Sequence, residues 1–406
     1  MAARPSARAG AQPGRMVVIS TLGLGQILAW GSSYYLLAVL APPIAADTGW
    51  PLPWIVTGLS IGSLTAGVIA PRVGHAIQTH GGRLVMATGT VLLALGLLGL
   101  SLAPSLPLHL LAWVVIGGGM GCCLYDAAFS TLGRLYGQNA RPAITTLTLF
   151  GGFASTVCWP LSAFFLERLG WRGTCVAYAI LHLVLTLPLY GLVLPTSSKI
   201  AAETRSLPSG GRDRQIASGP VLDPPWLMFA MLATGISLGW AISSVISVHL
   251  LTILQAAGFD LATAVALGAL VGPSQVSGRA VEMALGKYYR PIWTLVISVL
   301  LVASGLGLLL ASPHITAAAL ICYGAGVGIA SIARGTLPLA IFGPERYPIW
   351  MGRLASPTLI AGAVAPALAA VLLEQAGPTI TLLVLEGLAL VNVGVALVLL
   401  WLQKQT

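Results

Sequence analysis

Two ionised side chains stand where the sequence leaves them little water. Asp126 lies in PLHLLAWVVIGGGMGCCLYDAAFSTLG, with no other charge between His109 and Arg134. Arg334 lies in ICYGAGVGIASIARGTLPLAIFG and is followed by nine uncharged positions, Gly335 to Gly343. A charge at the centre of a hydrocarbon layer costs about 2.5–3.5 kcal/mol on insertion scales, so each needs a partner, a cavity or a bound ion. Cys122, Cys123 and Ser130 are three or four residues from Asp126 and share its helix face. Gly117, Gly118, Gly119 and Gly121 make a small-residue surface that another helix or a ligand can approach closely. Asp126 therefore reads as a carboxylate that takes up a proton or cation, or as the structural partner of an arginine. Arg334 reads as a counter-charge for an anion or for Asp126, or as a cation snorkelling to an interface. The expectation is that Arg334 or Arg279 holds Asp126 in one state and releases it in another.

A second group has few charges and many rings and amides. Gln26, Trp30 and Ser33 follow a 4, 3 helical spacing and share one face, with Tyr34 and Tyr35 beside them. Trp240, Ser243, Ser244 and His249 form a similar set 210 residues on from Trp30, and GPSQVSGR adds Gln275, Ser277 and Arg279. Such side chains suit a modest organic solute. Packing is the competing reading for Trp30 and Trp240, and interfacial anchoring for Tyr35. Pro71 and Pro273 are expected to kink their helices and free carbonyls. Thr145, Thr146, Thr148, Ser155 and Thr156 read as interhelical glue, and His182 and Glu386 as structural pairs. The five cysteines show no metal-ligand spacing, and Cys122-Cys123 reads as small-residue packing.

The elements that must position these residues are apolar helices. Of 406 residues, 57% are hydrophobic and 8% charged, and mean hydropathy is +0.91. A soluble chain carries roughly 25% charged residues, so this one needs a lipid exterior. Runs of about 20 apolar residues recur, continuous and not alternating, which predicts helices and excludes a barrel. Twelve spans are expected, at 16–41, 53–73, 84–104, 107–132, 142–165, 172–194, 226–252, 261–281, 291–311, 314–338, 350–373 and 378–402. No cleavable leader is read before the first. With the N-terminus cytoplasmic, all 20 Lys and Arg except Arg168 and Arg172 fall on the cytoplasmic side. Anionic lipid, not nucleic acid, then accounts for the net charge of +9.

The segment 195–224 is rich in Pro, Gly, Ser and charge and reads as a cytoplasmic linker between a six-helix bundle at 1–194 and another at 225–406. The two halves repeat. GQILAW at 25–30 matches GISLGW at 235–240, Gly49-Trp50 matches Gly258-Phe259, Glu167 matches Glu374, and STLG at 130–133 matches GTLP at 335–338. A parallel repeat of this kind is the signature of two bundles with a site between them near the midplane.

These features resemble the major facilitator superfamily over the whole chain. That family marks the loop between spans 2 and 3 with G-x-x-x-D-x-x-G-x-R/K; here Gly74, Gly81 and Arg83 match and Gln78 replaces the acid. Between spans 8 and 9, Gly278, Glu282 and Lys287 match, with Arg279 inside the motif and Gly286 one place late. The resemblance implies a cytoplasmic latch built from these residues, weakened at Gln78. Arg279 belongs either to that latch or to a substrate site. The drug-antiporter motifs are degraded: Val115 and Gly118 stand where span 4 should carry Arg and Gln, and span 5 keeps only Trp159-Pro160. DTGWPLPWIVTGLSIG and GGRLVMATG look closer to the monocarboxylate and organic-anion branch.

The implied protein is an all-α, twelve-helix, multi-pass cell-membrane transporter with both termini cytoplasmic, moving a small solute by alternating access. An ion gradient is expected to drive it, with Asp126 as the proton-coupling residue and His249 or Glu386 as lesser candidates. An organic anion is the expected substrate. The alternative is an efflux permease for a drug or an arsenite-like metalloid, which the adjacent thiols would favour. No Walker-type phosphate loop, catalytic cluster or channel filter is visible, so an enzyme, an ATP-driven pump and a channel are not expected. Expected partners are the substrate, lipid and a proton, with no cofactor, metal or nucleic acid, and the chain is expected to be a monomer. Substrate-binding candidates are Gln26, Trp30, Ser33, Tyr34, Trp240, Ser243, His249, Gln275 and Arg334.

Overall fold

The computed structural model describes residues 13–196 and 226–405, so most of the expected linker lies outside the described residues. Every regular element among them is helical. Among the described residues nine stretches are long and apolar enough to cross a membrane; Leu106–Val193 contains three of the expected spans and Tyr347–Lys404 two, which makes twelve. The molecule is a multi-pass helical membrane protein.

The first half comprises α1 (Arg15–Gly31), α2 (Leu36–Thr48), α3 (Leu52–His80), α4 (Gly82–Leu102), α5 (Leu106–Cys123), α6 (Tyr125–Tyr136), α7 (Ala140–Gly152), α8 (Ala154–Leu181) and α9 (Leu187–Val193). The second comprises α10 (Trp226–Ala256), α11 (Leu261–Gly268), α12 (Val271–Leu285), α13 (Pro291–Ala311), α14 (Thr316–Phe342) and α15 (Tyr347–Gln405). Spans 5 and 6 join inside α8 at Gly170 (φ 68°), and spans 11 and 12 join inside α15 at Gly377 (φ 82°). Both turns need the left-handed region that glycine enters without a Cβ penalty. They stand at matching positions of the repeat.

Several spans are broken where the sequence predicts one continuous helix. Span 1 turns at Ser32–Tyr35, between α1 and α2. Span 4 breaks at Leu124, whose ψ of −172° is extended, after the helix-poor run GGGMGCC. Span 5 turns at Phe153, directly after Gly151-Gly152. Span 8 turns at Ala269–Leu270, because Pro273 offers no N–H to the Ala269 carbonyl. Pro71 differs: α3 runs through it as one helix. Span 6 carries a π-turn at His182–Thr186, closed by Leu187 N–H to the His182 carbonyl. Pro188 two residues on removes the donor that an α-turn would need there.

The first half buries one large apolar core, with Trp113, Phe129, Tyr178 and Tyr190 among its largest fully buried side chains, and a small separate cluster around Val73, Ile77 and Val85. The second half has two cores, one around Ile242, Leu306 and Tyr323 and one around Leu232, Val299 and Leu337. The halves meet where α3 and α6 pack along α15 and where α7 packs on α12 and α14. Glycines permit the closest approach: a Cβ on Gly74 would lie 2.3 Å from the Pro348 carbonyl oxygen, and one on Gly352 would lie 2.5 Å from that of Ala70.

Candidate functional site

A cavity of about 210 Å³ lies between the halves, on the side of α10, α12, α13 and α14. The first half gives it a wall of rings: Trp30 and Tyr34–Tyr35 from the bend of span 1, and Tyr125 from the break in span 4. Trp240 of α10 completes the wall, with ring centroids 6.4 Å from Trp30 and 6.1 Å from Tyr34. The second half supplies Ser243, Ser247, Gln275, Arg279, Ser298, Ser331, Arg334 and Asn392, with Val299, Val302 and Val327 between them.

The two arginines of this cavity differ in their partners. Arg334 grips Asp126 bidentately, Nε to Oδ1 at 3.0 Å and Nη2 to Oδ2 at 2.6 Å, and lies over the Trp240 ring at 5.2 Å. The pair crosses from span 4 to span 10 over 208 residues of sequence, so the two residues come from corresponding helices of the repeat. Asp126 also sits in the first turn of α6, where unpaired N–H groups favour negative charge. The break at Leu124 creates that helix start. Gln26 supports it: its Nε2 donates to the Cys123 carbonyl at 2.5 Å, and its Oε1 accepts from Trp30 Nε1 at 3.1 Å.

Arg279 is 6% exposed and meets only neutral acceptors: Ser331 Oγ at 3.0 Å, the Thr148 carbonyl at 3.3 Å, the Gly328 carbonyl at 3.4 Å and Gln275 Oε1 at 3.5 Å. No carboxylate lies within ion-pair distance of it among the described residues. Span 5 makes room for it, since a Cβ on Gly152 would lie 2.2 Å from Arg279 Nη1. Neighbouring Gly151 does the same for the Tyr125 hydroxyl, which donates to the Thr148 carbonyl at 3.2 Å.

Beyond the Asp126–Arg334 pair, toward the end of the molecule where α1 begins, lies the expected latch region. Gln78 Nε2 donates to the Glu345 carbonyl at 2.8 Å, so the amide that replaces an acid still bridges the halves. Arg134 donates to the carbonyls of Ile77 and Gln78. Gly81 ends α3 at φ 87°, and half-buried Arg83 opens α4. On the other half, Gly278 packs on the Ala325 backbone. Glu282 accepts from Thr294 Oγ1 at 2.7 Å and from the Tyr289 hydroxyl, and Arg141 of the first half approaches it at 3.9 Å. Burial, then the neighbouring Glu282 carboxylate, pushes the Tyr289 phenol above its ordinary range. Lys287 lies over the Tyr288 ring at 4.9 Å. Arg279 stands apart from this group. Its guanidinium faces the cavity, because it lies on the turn of α12 that packs against Gly328 and Ser331 of α14.

Of the expected substrate residues, Trp30, Tyr34, Trp240, Ser243, Gln275 and Arg334 line the cavity. Gln26, Ser33 and His249 do not. Gln26 spends both ends of its amide on the span 4 break and Trp30. Ser33 donates to the Ala29 carbonyl at 2.5 Å, and His249 Nε2 lies 2.9 Å from the Pro366 carbonyl oxygen. Tyr125, Ser298, Ser331 and Asn392 were not expected there. Tyr125 becomes visible only through the break beside it, and the serines read like any buried hydroxyl in a helix. The pair Gly151-Gly152 was the available signal for the close approach of Arg279. Cys122 and Cys123 pack against Gly89, and Cys123 Sγ donates to the Met86 carbonyl at 3.3 Å. No group of three metal-ligating side chains occurs among the described residues.

Known proteins share this architecture. The model of the Major Facilitator Superfamily matches residues 22–292. An "Uncharacterized 38 kDa protein in 23S RNA operon" of Thermoproteus tenax is 32% identical over 168 residues, 41% of this chain and 44% of that protein. Monocarboxylate transporter 13 of Rattus norvegicus is 31% identical over 216 residues, 53% of this chain and 48% of the transporter. The chain thus spans under half the length of these curated relatives. Among solved structures, the human organic anion transporter MFSD10 (TETRAN) superposes with a TM-score of 0.72 at 16% identity, covering 95% of this chain and 100% of that one.

Proposed function

The chain belongs to the major facilitator superfamily, and from that premise we propose that it is a secondary active transporter that moves a small organic anion across the cell membrane by alternating access. The observation that carries the anion is Arg279. A buried guanidinium facing only neutral acceptors lacks a counter-ion, and a carboxylate entering the cavity supplies one through charge-assisted hydrogen bonds. Similarity to a monocarboxylate transporter and to an organic anion transporter supports the same reading. The metalloid alternative loses its motive, because Cys122 and Cys123 are buried against Gly89 and line no part of the main cavity.

The Asp126–Arg334 pair is the floor of the cavity in this reading, and the latch lies beneath it. Protonation of Asp126 releases Arg334 and frees the two helices to part, which couples cargo to a proton. With both termini cytoplasmic, the contacts between α3 and α15 close the cytoplasmic side, and the cavity opens outward. Residues 1–194 and 225–406 are the two moving bundles.

Counterflow in proteoliposomes tests the reading. With benzoate and lactate as labelled probes, Arg279→Gln is expected to lower exchange at least tenfold and Arg279→Lys to retain part of it. Unchanged exchange in Arg279→Gln would remove the anion from the proposal.

A further inference from the structure

The cavity selects among anions. Arg334 is neutralised by Asp126, so Arg279 is the single positive charge that the walls present without a partner. One charge matches one carboxylate. A second carboxylate would be desolvated with no cation to meet it, at a cost that grows steeply away from water.

The hydroxyls around it are already committed. Ser298 donates to the Leu295 carbonyl at 2.8 Å, Ser331 to the Gly328 carbonyl at 2.7 Å, and Ser247 to the Ser244 carbonyl at 2.9 Å. Each spends its hydrogen on its own helix, and Ser331 also accepts from Arg279. A polyhydroxylated cargo would bring many donors and acceptors to walls where Asn392 Oδ1 is a free acceptor but these serines are spent, and the valines between them offer none.

The opposite wall is aromatic. Trp30 holds Tyr34 at 5.4 Å and 70°, Tyr125 at 5.2 Å and 55°, and Trp240 at 6.4 Å and 60°. These tilted and edge-on contacts present both faces and edges of rings, the geometry that a further ring joins at about 0.5–1.5 kcal/mol beyond its buried area. The space is generous: a single water needs about 10–15 Å³ on a scale where this cavity measures about 210 Å³. A two- or three-carbon acid would fill a fraction of it and leave the rings uncovered.

Resting on the anion reading, we propose that the cavity is built for a monoanionic aromatic carboxylate, its carboxylate on Arg279 and its ring against Trp30, Tyr34 and Trp240. Thermal shift of the purified full chain tests this with benzoate, indole-3-acetate, lactate, propionate, phthalate and gluconate as probes. Benzoate and indole-3-acetate are expected to stabilise at concentrations at least tenfold below those needed for lactate, propionate, phthalate or gluconate. Trp240→Leu is expected to erase that preference by weakening the aromatic acids alone, and Trp30→Leu, which keeps Arg279 untouched, checks it should the first variant fold poorly. Equal potency of propionate and benzoate, or an aromatic preference that survives both substitutions, overturns the ring assignment and leaves the anion reading standing. Stabilisation by none of the six acids overturns both.

Discussion

The two halves of the molecule share a repeat and use it differently. In the first half spans 1, 4 and 5 are interrupted, and the interruptions sit beside one large core with a small satellite cluster. In the second half the mates of spans 1 and 4 are the unbroken helices α10 and α14, and the core is divided in two with the cavity beside the division. Span 8 reverses the rule: it is broken, and its mate α3 is not. The first half thus spends its irregular backbone on aiming rings and one carboxylate. The second half keeps spans 7 and 10 continuous and leaves space beside them. The arginines follow the same division, since Arg334 is held by a first-half acid and Arg279 is left to the cavity.

Removing that acid should break the comparison most severely. Asp126→Asn strands Arg334 in a buried site and is expected to cost about 3–5 kcal/mol, with most of it recovered in Asp126→Asn/Arg334→Gln; thermal unfolding of the single and double variants reads the difference. Arg279→Gln should do the opposite. Deleting an uncompensated buried charge is expected to raise the melting temperature even as anion exchange is lost, and a drop of the size seen for Asp126→Asn would make the two arginines alike. Gln26→Leu should cost about 1–3 kcal/mol by leaving the Cys123 carbonyl without its donor, whereas Gln275→Leu, which loses one 3.5 Å contact, should cost far less by the same assay. Gly152→Ala should raise the KM for benzoate exchange and spare folding, because the added methyl meets the side-chain end of Arg279 and not backbone.

The smallest effect belongs to the short helix α11. Asp260 caps it, accepting from Thr263 N–H at 2.9 Å and Thr263 Oγ1 at 2.8 Å. These bonds, the backbone one first, hold the carboxyl below its ordinary range of about 3.8. A depressed folded-state value means the cap is intact above the unfolded value and is lost as pH falls through the lower one. Protection of the 261–268 amides from hydrogen exchange, taken relative to the intrinsic rate at each pH, is therefore expected to be flat from pH 7 to 5 and to fall only in the more acidic range, and Asp260→Ala should show the lowered protection throughout.

Much of this was legible in the residues. Apolar length and the offset matches near 207 residues expose twelve helices in two related sets, because lipid forces each span to announce itself. The isolated charges at 126 and 334 announce each other for the same reason. Helix breaks were not legible at Leu124 or Ser32–Tyr35, where no proline marks them and tertiary contacts from Gln26 and Trp30 stabilise the opening. Pro71 and Pro273 show the converse, one residue type giving a continuous helix in α3 and a turn before α12. Arg279 sat inside a motif that suggested the latch. Only the packing of α12 on Gly328 and Ser331, set by residues fifty positions away, turns it toward the cavity.

The π-turn of span 6 has a bearing on how that helix can be altered. It behaves as one inserted amino acid, which rotates everything beyond it by about 100° relative to an uninterrupted helix. His182 Nε2 meets Ser32 Oγ at 2.7 Å on one side of the turn, and the Tyr190 hydroxyl fits the hollow over Gly25 on the other. Both land on span 1 because of that offset. Deleting Leu183 would let the turn relax to ordinary pitch and swing Tyr190 off its seat, so a one-residue deletion here is a rotation and not a shortening.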